Sequence, residues 1–172
     1  MPLPGWIAVI CLLVVLVAMR NPIPTSMQTW VPGRRMTEQE VYNLARDAGF
    51  DPDTARRMVA IAMRESDLIP DARCTDCFPG ISEDSIGLWQ INMRGELGAR
   101  RLVQFGLISA DKLLDPRVNA MAAFRTWGGS ENNLNVAWRI NEEGAYQYRS
   151  KYLANLAQLP PVSILESGYV SA

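Results

Sequence analysis

Helix punctuation is the feature that most constrains this chain. Thr37-Glu38-Gln39-Glu40 is a capping box, with Met36 and Val41 placed as the hydrophobic staple that accompanies one. Gly49 stops that helix after Ala48. Asp51-Pro52 opens the next, Asp as N-cap and Pro in the first turn, and the pattern carries it to about Ser66. Gly95 to Phe105 reads as a helix ended by Gly106, and Ser109 and Asp115-Pro116 are further starts. The helix from Pro116 runs to about Trp127 and closes at Gly128-Gly129, Leu134 to Asn141 and Gly144 to Gln158 complete the set, and Pro160-Pro161 stops the last. Cys74 to Ser85 is polar, contains Pro79-Gly80 and reads as a loop. The one short β candidate is Leu88 to Asn92, and no internal repeat is present. The fold class expected is mainly α, with at most a small β element.

Trp6 to Met19 is an uncharged apolar run. Counted from Leu3 it holds 17 residues, roughly 25 Å of helix at about 1.5 Å per residue, the short end of what spans a bilayer. A signal peptide is the rival reading, but the start is not basic and Ala18-Met19-Arg20 is a poor cleavage site. Residues 3–19 are therefore expected to seek a membrane or an apolar partner. Pro22, Pro24, Pro32 and Gly33 mark a linker before the capping box. The expected organisation is an apolar helix over 1–20, a Pro-rich linker over 21–35, one domain over 36–159 and a tail over 160–172.

Composition removes several classes of chemistry. The chain has 172 residues, enough for one domain with a core. Its net charge of −1 argues against binding nucleic acid. It contains no histidine, which excludes Ser-His-Asp and Cys-His catalysis and the two-histidine zinc hydrolases. Cys74 and Cys77 form Cys-Thr-Asp-Cys, but a zinc site would need two more ligands, so no metal and no cofactor is expected. A small disulfide loop and two free thiols both remain open for the pair. Acid–base work near neutral pH then falls to a carboxyl held protonated by its surroundings.

Glu65 is the candidate. On a helical wheel at about 100° per residue, Ala55, Met58, Val59, Ala62 and Ser66 share one side, and Arg56, Arg57 and Arg64 fall opposite. Glu65 projects between Met58 and Ile61, on the flank of the apolar face, where desolvation favours the neutral acid. The bland alternative is a helix-end Glu paired with Arg64, Arg57 or Arg73. Downstream lies Ser85-Ile86-Gly87-Leu88-Trp89-Gln90-Ile91-Asn92. A Gly permits close backbone approach, a Trp offers a flat face to a sugar ring, and Gln and Asn serve hydroxyls and N-acetyl groups. Gln90 and Asn92 are expected to face a ligand in the same cleft as Glu65.

Four stretches, in order, resemble the lysozyme-like superfamily, in its soluble lytic transglycosylase and goose-type lysozyme branch. They are Ile61-Ala62-Met63-Arg64-Glu65-Ser66, then Leu68-Ile69-Pro70-Asp71-Ala72, then Ser85 to Asn92, then Leu114-Asp115-Pro116-Arg117-Val118-Asn119-Ala120. The resemblance covers roughly Thr37 to Gln158. Where many relatives carry Ala-Tyr-Asn, this chain has Ala137-Trp138-Arg139-Ile140-Asn141, so the Tyr role there passes to Trp138, Tyr146 or Tyr148. The cysteine pair is not a general feature of that branch.

The resemblance implies cleavage of the β-1,4 bond between N-acetylmuramic acid and N-acetylglucosamine in peptidoglycan. It makes Glu65 the acid, with Ser85, Gly87, Trp89, Gln90, Asn92, Trp138 and Tyr146 as substrate-binding candidates. A lytic transglycosylase needs one carboxyl, which then takes the proton of the sugar's own 6-hydroxyl. A muramidase usually needs a second, for which Glu83 and Asp84, then Asp71 and Asp76, are candidates. An inactive structural or membrane-insertion protein and a glycan-binding module are the alternatives. The settings implied are a bacterial envelope or periplasm, where other envelope proteins are the partners, and a phage virion that opens the wall during DNA entry.

Overall fold

The computed structural model describes residues 31–75, 83–140 and 146–171, with the side chain of Tyr146 left out. The apolar run, the linker before Val31 and the expected helix of residues 1–20 lie outside these residues, as does the Pro79-Gly80 segment.

The capping signals become the helix ends. Helix α1 (Glu38–Ala48) starts at Thr37, whose Oγ1 accepts from the Glu40 N–H at 3.2 Å while Glu40 Oε2 accepts from the Thr37 N–H at 2.7 Å. It ends at Gly49, whose φ of 111° is left-handed. Helix α2 (Pro52–Glu65) starts at Asp51, which accepts from the Thr54 N–H at 2.9 Å. Helix α3 (Gly95–Phe105) follows, then a 3-10 turn over Ala110–Leu114 capped by Ser109. Helix α4 (Pro116–Trp127) is capped by Asp115 and closed at Gly128.

Helix α5 spans Glu131–Trp138, starting three residues earlier than the apolar pattern suggests, because Ser130 is its N-cap. Helix α6 is Tyr146–Gln158. After Pro160-Pro161 the expected tail forms one more short helix, α7 (Val162–Ser167).

The stretch read as a loop contributes to two of the three strands of a small sheet instead. Strands β1 (Arg73–Thr75), β2 (Asp84–Ile86) and β3 (Ile91–Asn92) pair antiparallel in that order, with Cys74 opposite Ser85 and Ser85 opposite Asn92. Cys74 is disulfide-bonded, so its sulfur is not a free thiolate.

Helix α2 is the centre of the fold. Met58 to Ala62 are fully buried in sequence, so this helix is surrounded rather than lying on a surface. It packs on α6, α1 and α7. Arg56 donates to the carbonyls of Leu156 (2.8 Å), Leu159 (3.1 Å) and Pro160 (2.8 Å), closing the C-terminus of α6. Trp89 lies across α2, its Nε1 donating to Met58 O at 2.9 Å. The residues described here belong to one compact unit, Trp30–Ser171.

Candidate functional site

The end of α2 is built as a junction. Ser66 leaves the helix, and its hydroxyl lies 2.9 Å from Leu88 O and 3.1 Å from Ala62 O. That contact ties the residue after Glu65 to the turn joining β2 and β3, so carboxyl and turn are held in register.

The turn is held from behind by Asn119 on α4, which is fully buried. Its Oδ1 accepts from the Trp89 N–H at 3.0 Å, and its Nδ2 donates to Ile86 O (2.9 Å) and Leu113 O (3.0 Å). Gly87 has φ +80°, and a Cβ there would meet Asn119 Nδ2 at 2.2 Å and Leu113 O at 2.6 Å. The missing side chain at Gly87 thus makes room for Asn119 rather than for a ligand, which corrects its expected role.

A cleft of about 480 Å³ opens at this junction. Met63 to Asp67 form one side, Ala72 to Cys74 and Gln90 another, and Lys151 and Asn155 of α6 a third. Glu65 and Gln90 therefore share one cleft. Gln90 has φ +46° and its Nε2 donates to Gly87 O (2.9 Å) and Ala72 O (3.2 Å). Its Oε1 has no partner among the described residues and remains available to a ligand.

Glu65 has a side chain 21% exposed, and its neighbour Arg64 only 3%. The wheel placed Arg64 on the solvated face, whereas the fold buries it. Arg64 donates to Glu65 Oε1 through Nη2 and, at 3.1 Å, through Nε. It also donates to Trp138 O at 2.5 Å and Tyr148 O at 3.2 Å, with its guanidinium 5.5 Å from the Tyr148 ring centroid. Oε2 of Glu65 has no hydrogen bond among the described residues. The wheel could not show that the carbonyls of Trp138, at the end of α5, and of Tyr148, in the first turn of α6, wait beside position 64.

Other expected contacts fall elsewhere. Trp89 is fully buried and Trp138 is 5% exposed, its Nε1 donating to Trp89 O at 3.0 Å. Neither ring is a surface for a sugar in this structure, because each indole packs in the core with its N–H satisfied there. Ser85 is buried and its hydroxyl donates to Glu83 Oε1 at 2.7 Å. Asn92 accepts from the Arg94 N–H at 2.9 Å and supports the approach to α3, outside the cleft. The side chain of Tyr146 lies outside the described residues. Tyr148 reaches the site through its carbonyl and its ring, both on Arg64.

Three of the four second-carboxyl candidates are engaged, Glu83 by the Ser85 hydroxyl. Asp84 pairs with Arg73 at 2.9 and 3.1 Å, and Asp71 accepts from the Gly33 N–H at 2.9 and 3.0 Å. Asp76 lies outside the described residues. The carboxyl that does line the cleft with Glu65 is Asp67, at a left-handed φ of 52° and 3.4 Å from Arg35. Asp67, Arg73, Lys151 and Asn155 were not singled out as cleft residues from the sequence. No periodic signal could have found them, since they meet only through the packing of α6 and β1 around the end of α2.

Residues 42–135, more than half of the chain, match the family model described as a lysozyme-like domain. No curated protein and no solved structure gives a significant match to the chain.

Proposed function

The chain belongs to the lysozyme-like domain family, and from that premise we propose that it cleaves peptidoglycan as a lytic transglycosylase with Glu65 as its acid and base. The observation that carries this reading is the pairing in one cleft of a part-exposed carboxyl and the Gln90 side chain, with Glu65 Oε2 and Gln90 Oε1 both unbonded among the described residues.

The chemistry needs little else. A proton on Glu65 Oε2 passes to the glycosidic oxygen between N-acetylmuramic acid and N-acetylglucosamine as the C1–O bond breaks. The resulting carboxylate takes the proton of the 6-hydroxyl as O6 bonds to C1, giving a 1,6-anhydro end and regenerating the acid. Asp84 and Asp71 are bound to other groups, which favours a one-carboxyl route over a hydrolase that uses two. Asp67 is the carboxyl a muramidase reading would have to recruit. We place the activity at a bacterial envelope or in a phage particle that opens one, with residues 3–19 meeting a membrane or an apolar partner.

A second reading, a glycan-binding domain without turnover, is favoured by one observation. Glu65 is ion-paired to a buried arginine, so its carboxyl has a partner within the fold and the cleft could hold a glycan without exchanging a proton with it. Mass spectrometry of muropeptides released from purified walls separates the readings. Anhydro ends are the expected outcome. Reducing ends would make the protein a muramidase, and co-sedimentation with walls without soluble product would make it a binding domain.

A further inference from the structure

We propose that Arg64 is a positioning residue that assigns the two oxygens of Glu65, holding Oε1 and leaving Oε2 to exchange the proton with the glycan. The inference deepens the acid–base reading above and rests on it.

Arg64 is fixed by more than its carboxylate. Trp138 is the last residue of α5, and its carbonyl belongs to the group that a helix leaves without an internal partner. The Arg64 guanidinium supplies the missing donor at 2.5 Å and reaches Tyr148 O, on α6, at 3.2 Å. With 3% of the side chain exposed, swinging away would uncover a buried charge and strip a donor from each carbonyl. The planar fork is therefore immobilised by α5 and α6, and what remains of it meets Glu65 at one oxygen only.

That geometry suits both halves of the reaction. An N–H donates to the carbonyl oxygen of a neutral carboxyl as well as to a carboxylate. With the proton on Oε2, Oε1 is the carbonyl oxygen, and Arg64 keeps its hydrogen bonds. When Oε2 gives its proton to the glycosidic oxygen, the negative charge that develops on the carboxyl is met at Oε1 by a guanidinium already in place. When Oε2 takes the 6-hydroxyl proton, the first state returns. Arg64 exchanges no proton in either step. A lysine, as a single point charge on a flexible stem, would not orient the carboxyl in this way.

Two measurements test this. In wall-clearing kinetics, Arg64→Lys is expected to lower kcat by about 10²-fold, the scale of a misplaced reacting group, with KM changed by less than about twofold because Gln90, Lys151 and Asn155 keep their places in the cleft. Unchanged kcat in a folded Arg64→Lys protein would overturn the proposal. Should that variant fail to fold, the unaltered protein crystallised with tri-N-acetylglucosamine gives a second reading. Oε1 is expected to remain on Arg64 with Oε2 facing the sugar. A sugar hydrogen-bonded by Oε1, with Arg64 released, would overturn the proposal equally. If the unaltered protein clears no wall, it is the proposed activity that fails, and the crystal complex still reports how the two oxygens are used.

Discussion

At the scale of single residues, Asn119 holds the cleft's turn and Glu65 shows where sequence reasoning stops. Asn119→Ala removes the acceptor for the Trp89 N–H and the donor for two buried carbonyls. Leaving such groups unpaired costs about 1–3 kcal/mol each, so a loss of about 3 kcal/mol is expected in urea unfolding. A loss below about 1 kcal/mol would mean that water replaces the amide. The place of Gln90 beside Glu65 was legible in the Gly-Leu-Trp-Gln stretch. The inward turn of Trp89 was not, because a turn has no period and nothing in its sequence says which side faces the core. Arg64 was misplaced for a related reason. A helical wheel assigns a charge to solvent unless a partner is known, and the partners here are carbonyls of residues 138 and 148, far along the chain.

Among elements, the caps were the most legible feature. Thr37, Asp51, Ser109 and Asp115 each accept the backbone N–H that their positions imply. Thr37→Ala should cost about 1 kcal/mol in urea unfolding, the usual value of a lost N-cap. An effect near zero would show that Glu40, also paired with Arg34 at 2.6 Å, holds the helix start alone. Strand β3 falls inside the expected Leu88 to Asn92 candidate, but β1 and β2 were not legible because they contain three residues each, too few for alternation to register.

Helix α7 escaped for want of length, with six residues, and is fastened by side chains from α1. Glu166 accepts from the Tyr42 hydroxyl at 2.6 Å and from Arg46 at 2.7 Å. The Tyr42 hydroxyl first, and Arg46 with it, hold the Glu166 carboxyl below its ordinary value of 4.5. A carboxyl lowered in the folded state adds stability that is complete above its unfolded value and is lost as pH falls through the lowered one. Glu166→Gln should therefore flatten the decline of melting temperature below about pH 4.5 while lowering stability at neutral pH. Parallel acid limbs in the two proteins would contradict that fastening role.

For the whole molecule, the compact unit Trp30–Ser171 contains every contact described here, including Gly33 on Asp71. A chain shortened to begin at Trp30 should keep its melting temperature within about 2 °C, equivalent to well under about 1 kcal/mol for a domain of this size. Unfolding on truncation would assign the apolar run to the domain's own core and end the membrane-seeking reading. The helical architecture and the family were legible because caps, stops and the four resembling stretches are local in sequence. The cleft's third wall was not, since α6 supplies Lys151 and Asn155 only after packing on α2. The most direct measurement is the rate of wall clearing by Glu65→Gln beside the unaltered protein. The variant should fold normally and lose about 10²–10⁴-fold in rate, the usual contribution of a positioned acid. Retention of about a third or more of the rate by a folded Glu65→Gln protein would contradict the assignment of Glu65 as the acid.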